Sequence, residues 1–368
     1  MSGWRSSPLG QVATLQRGFD LPSRLRRRGV VPIVSSSGVS GWHDRPMVKA
    51  PGVVTGRYGT LGEVFFQDND FWPLNTTLWV SDFHGNDEHF VYYLLQRVNF
   101  AAHSGKSGVP GVNRNDLHTE VVSLPMSTAE QREIADALAD CDALIVTLER
   151  SIAKKHAMKQ GMMQELLTGR TRLPGFTGGW AKSALGAVAT VKMGQSPAGS
   201  SYNTAGQGTP LVQGNADIRH RRTIDRIWTT QPTKHCRAGD VVLTVRAPVG
   251  FTAVASKDSC LGRGVCSIST KDDNRFLYHA LVYAEPSWSV YEQGSTFTAV
   301  NSNEVRSFIL PWPTDQTERR AIAAALDAAD NETALLSQRI AKAKAMKQGM
   351  MQELLTGRTR LTATEALS

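Results

Sequence analysis

Nowhere in the 368-residue chain does an apolar run reach the ~18 residues of a membrane span. The opening MSGWRSSPLG lacks the apolar core of a signal peptide, so the expectation is a cytoplasmic protein without an anchor. Four cysteines, Cys141, Cys236, Cys260 and Cys266, show no C-x-x-C spacing, which argues against a zinc site or a disulfide frame. Catalytic signatures are missing as well. There is no G-x-x-x-x-G-K-[ST] phosphate loop, no H-E-x-x-H, no G-x-S-x-G elbow and no [ND]-P-P-[FYW] tetrapeptide. The nine histidines have no ligand spacing, so no catalytic residue and no metal ligand is assigned.

What the chain does contain is a stretch that occurs twice. Residues 157–173 and 345–361 both read AMKQGMMQELLTGRTRL, 17 identical residues at an offset of 188. Upstream, Glu130, Arg132, Ile134, Ala135 and Leu138 match Glu318, Arg320, Ile322, Ala323 and Leu326 at the same offset, and a Leu-Pro precedes each copy. Both copies read as long helices. Ile134, Leu138, Cys141, Ile145, Leu148 and Ile152 step by alternating fours and threes, which is a heptad seam. Lysines occupy the next two seam positions, Lys155 and Lys159, before Met162 and Leu166 resume it. Ser127 with Glu130, and Asp315 with Glu318, have capping-box spacing, while Gly169 and Gly357 stand where a helix should stop. One apolar seam on a helix of about 40 residues needs a partner, and the second copy is the obvious one.

Before each helix lies a unit of short β-branched runs between turn signals, and the two units echo each other. Trp4, Leu9 and Gly10 match Trp180, Leu185 and Gly186; GVVTGRYG at 52–59 resembles DVVLTVRA at 240–247; FVYYLLQ at 90–96 resembles FLYHALV at 276–282. The expected organisation is a unit at 1–125, a helix at 126–173, a second unit at 174–312, a second helix at 313–361 and a short polar tail at 362–368.

The formal charge is +8, which suits a polyanionic partner. Basic and polar residues gather at loop positions of both units. In the first these are Arg26, Arg27, Ser35, Ser36, Ser37, Arg57, Tyr58 and Lys106; in the second, Gln213, Asn215, Arg219, Arg221, Arg246, Gln293, Ser295 and Thr296. Arginine pairs bidentately with phosphate or guanine, and glutamine or asparagine with adenine, so these are candidate DNA contacts. The repeated segments add Met162, Met163, Gln164 and Leu167, with Met350, Met351, Gln352 and Leu355. They offer more apolar surface than one seam needs and serve either a partner dock or core packing.

The Leu-Pro followed by TAEQREIADAL or TERRAIAAAL, with LLTGRTRL closing each helix, resembles the DNA-specificity subunit of type I restriction–modification enzymes over the whole chain. The resemblance implies an α+β protein: two similar mixed α/β target-recognition domains, separated by a pair of long helices packed as an antiparallel coiled coil, with an internal pseudo-two-fold repeat. It implies a non-catalytic chain that reads a bipartite site in double-stranded DNA. Two methyltransferase subunits and two restriction subunits would be its partners. S-adenosylmethionine, ATP and Mg would be bound by those partners and not by this chain. Three other readings stay open: a specificity protein serving another methyltransferase or nuclease, a coiled-coil scaffold that binds no DNA, and a DNA-modifying enzyme in its own right.

Overall fold

A computed structural model describes residues 3–103, 111–271, 273–291 and 299–361. The tail expected at 362–368 lies outside them. The chain divides into two compact units, Met1–Arg150 with Gln338–Ser368, and Ser151–Ser337.

In the first unit β1 (Trp4–Pro8) leads to β2 (Thr14–Arg17), β3 (Val31–Ser35), β4 (Gly38–His43) and β5 (Gly52–Gly56). Then come β6 (Val64–Gln67), β7 (Trp72–Pro73), β8 (Thr77–Asp82), α1 (Glu88–Leu95), α2 (Arg114–His118) and β9 (Val121–Pro125). They form sheets β2-β8-β5-β6 and β4-β3-β7, and β1 pairs antiparallel with β9. All five residues of β5 are buried, as GVVTG with neighbours on both sides requires. Asp87 starts α1 by accepting from the Phe90 amide at 2.9 Å.

After the long helix α3 (Thr128–Leu166), the second unit opens with β10 (Trp180–Ala184), α4 (Leu185–Val188), β11 (Thr190–Met193), β12 (Tyr202–Asn203) and β13 (Thr209–Val212). It continues with β14 (Ile218–Arg219), β15 (Arg222–Thr223), β16 (Trp228–Thr229), β17 (His235–Cys236) and β18 (Val241–Thr244). β19 (Thr252–Val254), β20 (Ser259–Leu261), β21 (Val265–Ser269), α5 (Asn274–Ala284), α6 (Ser302–Ser307), β22 (Ile309–Pro313) and α7 (Gln316–Leu354) complete the chain. The sheets are β11-β21-β18-β19-β15-β14 and β12-β16-β13-β20-β17, and β10 pairs with β22 as β1 does with β9.

Both long helices have 39 residues, and each contributes to both units. In the first unit Ile134, Ala135 and Leu138 of α3 and Leu354 of α7, with Leu355 just after it, enter one core with Leu9, Phe90 and Leu124. In the second, Ile322, Ala323 and Leu326 of α7 and Met163 and Leu166 of α3, with Leu167, enter the other core with Leu185, Phe276 and Leu310.

Within each unit the helix segments run antiparallel. Glu130 pairs with Arg360, Asp142 with Lys347 and Glu149 with Lys344 in the first; Lys155 pairs with Glu332, Lys159 with Asp330 and Arg172 with Glu318 in the second. The seam lysines thus meet carboxylates from the facing segment, and Lys159 and Lys347 have side chains only 15% and 17% exposed. Half-buried charge pairs of this kind fix register, because a slipped seam would strand them. Asp315 caps α7 as expected, accepting from the Thr317 amide at 2.8 Å, but the Glu130 and Glu318 carboxylates do not close the expected boxes. Glu130 accepts from the Trp4 indole at 3.0 Å and from Arg360, and the fully buried Glu318 takes a bidentate pair from Arg172.

The identical segments therefore end in similar clasps, although the Trp4 indole donates to Glu130 and the buried Trp180 indole nitrogen has no partner among the described residues. Gly357, at φ 70°, lies against the Trp4 ring, and Gly169, at φ 72°, lies against the Trp180 ring. A Cβ on Gly357 would meet Trp4 at 2.9 Å and one on Gly169 would meet Trp180 at 3.0 Å. Gly357→Ala and Gly169→Ala should each cost about 2 kcal/mol in denaturant unfolding, from left-handed strain plus displacement of the indole. A change below ~0.5 kcal/mol in both would show that the clasps are slack.

Polar contacts under the clasps differ. In the first unit the Tyr93 hydroxyl donates to Asp142 at 2.9 Å. The matching residue of the second is His279, fully buried on α5, whose Nε2 lies 2.7 Å from Asp327. Burial holds the His279 imidazole below its ordinary value. Burial opposes ionisation of Asp327, but hydrogen bonds from His279 and Arg275 outweigh it and keep the carboxyl well below the usual range. A base whose folded pKa is depressed stabilises fully above its unfolded value, near pH 6.5, and loses that contribution as pH falls toward the folded value. The melting temperature should therefore drop between about pH 7 and pH 5, and His279→Tyr, which copies the neutral donor Tyr93, should flatten the drop. Equal slopes for both proteins would refute this.

Candidate nucleic-acid interface

β5 and β18 end at matching points. After β5, the amides of Arg57 and Tyr58 donate to the Thr76 carbonyl at 2.9 and 3.2 Å, and Tyr58 bridges to Gly111. After β18, Arg246 bridges to Ala299. Tyr58 and Arg246 stand 188 positions apart, as do Gly111 and Ala299. Both side chains are exposed, so the two units present an aromatic and a cation at the same place. The Arg57 guanidinium stacks 4.5 Å from the centre of the Tyr58 ring. A cleft of about 780 Å³ opens there, lined among others by Gln16, Arg17, Arg57, Tyr58, Asn113 and Arg114. Three cations, an aromatic face and two amides suit phosphate contact with base-edge or stacking contact beside it. Asn113 also caps α2, accepting from the Asn115 amide at 3.0 Å. Gln16, Arg17, Asn113 and Arg114 escaped the sequence reading, because only folding brings residues so far apart in sequence to Tyr58.

The other expected contacts fall unevenly. Ser35, Ser36 and Ser37 make the tight turn between β3 and β4, where Ser35 Oγ donates to the Gly38 carbonyl at 2.9 Å. Arg27 is exposed and loosely paired with Asp44 at 3.6 Å, whereas Arg26 turns back to the Leu21 carbonyl. Gln213 is half-buried and Asn215 exposed. Lys106, Gln293, Ser295 and Thr296 lie outside the described residues.

Arg219 and Arg221 separate sharply. They belong to a hairpin in which Arg219 pairs with Arg222 across a two-residue turn, His220 and Arg221, at φ 47° and 57°. Such a turn favours Asn-Gly, and placing side-chain-bearing residues in it costs about 1–2 kcal/mol each. Arg219 and Arg222 are exposed. Arg221 is not available to DNA as expected: its guanidinium pairs with both carboxylate oxygens of Glu285, donates to the Thr252 carbonyl at 3.0 Å and lies 5.0 Å over the Phe251 ring.

One group of metal-ligand types occurs among the described residues, His279, Asp327 and Asp330, with ligand atoms within 4.8 Å of one another. Arg275 and His279 already occupy Asp327, and Lys159 occupies Asp330, so the carboxylates are neutralised and the group suits structure better than a cation. Among the described residues no helix is long and apolar enough to cross a membrane.

The family model described as the type I restriction modification DNA specificity domain matches residues 1–155 and again 177–345. This chain belongs to that family. The specificity chain is 30% identical over 293 residues to a Methanocaldococcus jannaschii protein named as the specificity subunit of type I restriction enzyme MjaX, covering 75% of this chain and 69% of the relative. Its fold matches a solved type I restriction–modification S subunit from M. genitalium, with 14% identity, 98% and 97% of the two chains covered and a TM-score of 0.67. A chain from a structure on complex assembly and conformational transition of the type I system matches at 24% identity, 98% and 99% coverage and a TM-score of 0.61.

In the specificity chain the repeated segments turn inward. Met163, Leu167 and Leu355 are buried in the two cores, and Met162, Met350 and Met351 are half-buried against them. Gln164 and Gln352 stay exposed. For the cleft, Tyr58→Ala should weaken binding to duplex DNA bearing the recognised site about tenfold or more, as loss of one base-stacking contact does. Arg246→Ala should weaken it similarly while leaving the melting temperature unchanged. Full affinity in both variants, measured by fluorescence anisotropy, would remove these positions from the interface.

Proposed function

We propose that each unit of this specificity chain reads one half of a bipartite DNA site and that the chain carries partner methyltransferase and restriction subunits to it. The observation that carries this reading is the matched exposure of Tyr58 and Arg246 at the ends of β5 and β18, set among loops of different composition. SSSGVS at 35–40 stands where the second unit has QGNADI at 213–218. Related scaffolds with unequal loops suit two different half-sites.

Catalysis belongs to the partners in this reading. S-adenosylmethionine would be held by the methyltransferase subunits, and ATP with Mg by the restriction subunits, two of each joining one specificity chain. Gln164 and Gln352, identical in flanking sequence and exposed on the two long helices, are the proposed docking face. The assembly would work in the cytoplasm, where the DNA is.

Methylome sequencing tests the assignment. Cells carrying the intact complex should show one split methylated motif, absent when this chain is deleted. Exchanging residues 1–125 for the same domain of a relative should change one half of the motif and leave the other. A change in both halves or in neither would overturn the division of labour, and methylation by the purified chain alone would overturn its non-catalytic role.

A further inference from the structure

The β14–β15 hairpin sets two arginines face to face. Arg219 and Arg222 are direct cross-strand partners on either side of the two-residue turn, so their side chains leave the same face of the ribbon. Like charges directly opposite repel, and no carboxylate among the described residues forms an ion pair with either. The acidic groups along this stretch are occupied elsewhere: Asp217 pairs with Arg226 at 2.8 Å, Asp225 with Lys257, and Glu285 with Arg221. The turn between the arginines is held in a left-handed conformation that is uncommon for residues with a side chain, Arg221 above all.

That conformation persists because the surroundings over-determine it. The Arg221 carbonyl accepts from the Val254 amide at 2.9 Å, and its guanidinium is gripped by Glu285. Glu285 also accepts from the Thr252 amide at 2.9 Å, so one carboxylate ties the hairpin to β19. The 28 residues between β13 and β18, where the hairpin lies, exceed the 16 between β3 and β5, and no matching arginine pair occurs among the described residues of the first unit.

We infer that the β14–β15 hairpin is a phosphate clamp of the second unit, in which Arg219 and Arg222 grip one DNA backbone phosphate while Arg221 and Glu285 hold the turn in place and touch no DNA. A phosphodiester between the two guanidinium groups would relieve their repulsion and accept from both. Phosphate contact positions a reader without specifying bases, so the clamp would act alike on the recognised site and on random duplex. This inference rests on the DNA-recognition role proposed above.

The test measures binding of the full chain, in the complex with which it purifies, to a duplex bearing the methylated motif and to a random duplex across a salt series. Arg219→Ala combined with Arg222→Ala should reduce the salt-dependence slope by about 1 on both duplexes, and either change alone by less, with unchanged melting temperature. Unchanged slopes, with wild-type binding intact, would overturn the clamp. Failure of the wild-type complex to bind either duplex would instead overturn the DNA-recognition role. Glu285→Gln separates positioning from contact. Removing a negative charge from a DNA-facing unit should tighten binding on charge grounds alone; loss of the anchor should weaken it, by about fivefold or more, and lower the melting temperature together with Arg221→Ala. Tighter binding by Glu285→Gln would overturn the anchor role.

Discussion

A helix of 39 residues with one apolar seam cannot stand alone in water, and the molecule is arranged around that constraint. Each long helix gives its first turns to one core and its last turns to the other. Between these ends, apolar residues alternate with lysine–carboxylate pairs whose register leaves no freedom to slip. Burial supplies most of the stabilisation, and the charge pairs select the alignment. The clasps that close each end use a glycine against a tryptophan and an arginine against a glutamate. That is a physical account of why identical closing segments fit both ends: each meets a tryptophan ring and a glutamate, although only the Trp4 indole donates to its glutamate.

Much of this was legible in the sequence. The two long helices, their near-equal lengths, the glycine stops and the strands β3, β5, β6 and β8 of the first unit follow from period and turn chemistry, because those signals are local. What escaped was non-local. Glu130 and Glu318 have the spacing of capping boxes, yet their carboxylates serve residues far along the chain. Met163, Leu167 and Leu355 look like surplus apolar surface on a helix until the units they enter are seen. The pairing of β1 with β9, and of β10 with β22, rests on contacts more than a hundred residues apart.

The candidate interface was legible only as residue types at loop positions. Arg57, Tyr58 and Arg246 follow strands that the sequence shows, so their loop positions could be read. The orientation of Arg221 could not, since nothing in RHRR reveals that its third residue turns back to Glu285 while its first and fourth face outward. Gln16, Arg17, Asn113 and Arg114 were invisible as a group, because folding alone makes them neighbours of Tyr58.

The division of the long helices between units also sets an order of synthesis. The second unit is one continuous stretch of chain, whereas the first needs residues beyond 338 to complete its core. On the ribosome the first 150 residues emerge early but lack Leu354, Leu355 and the Gly357 clasp until the whole second unit has been made. Vectorial synthesis ordinarily lets the leading domain finish first. Here the trailing unit can close while the leading one waits with part of its apolar surface uncovered throughout the making of the second unit.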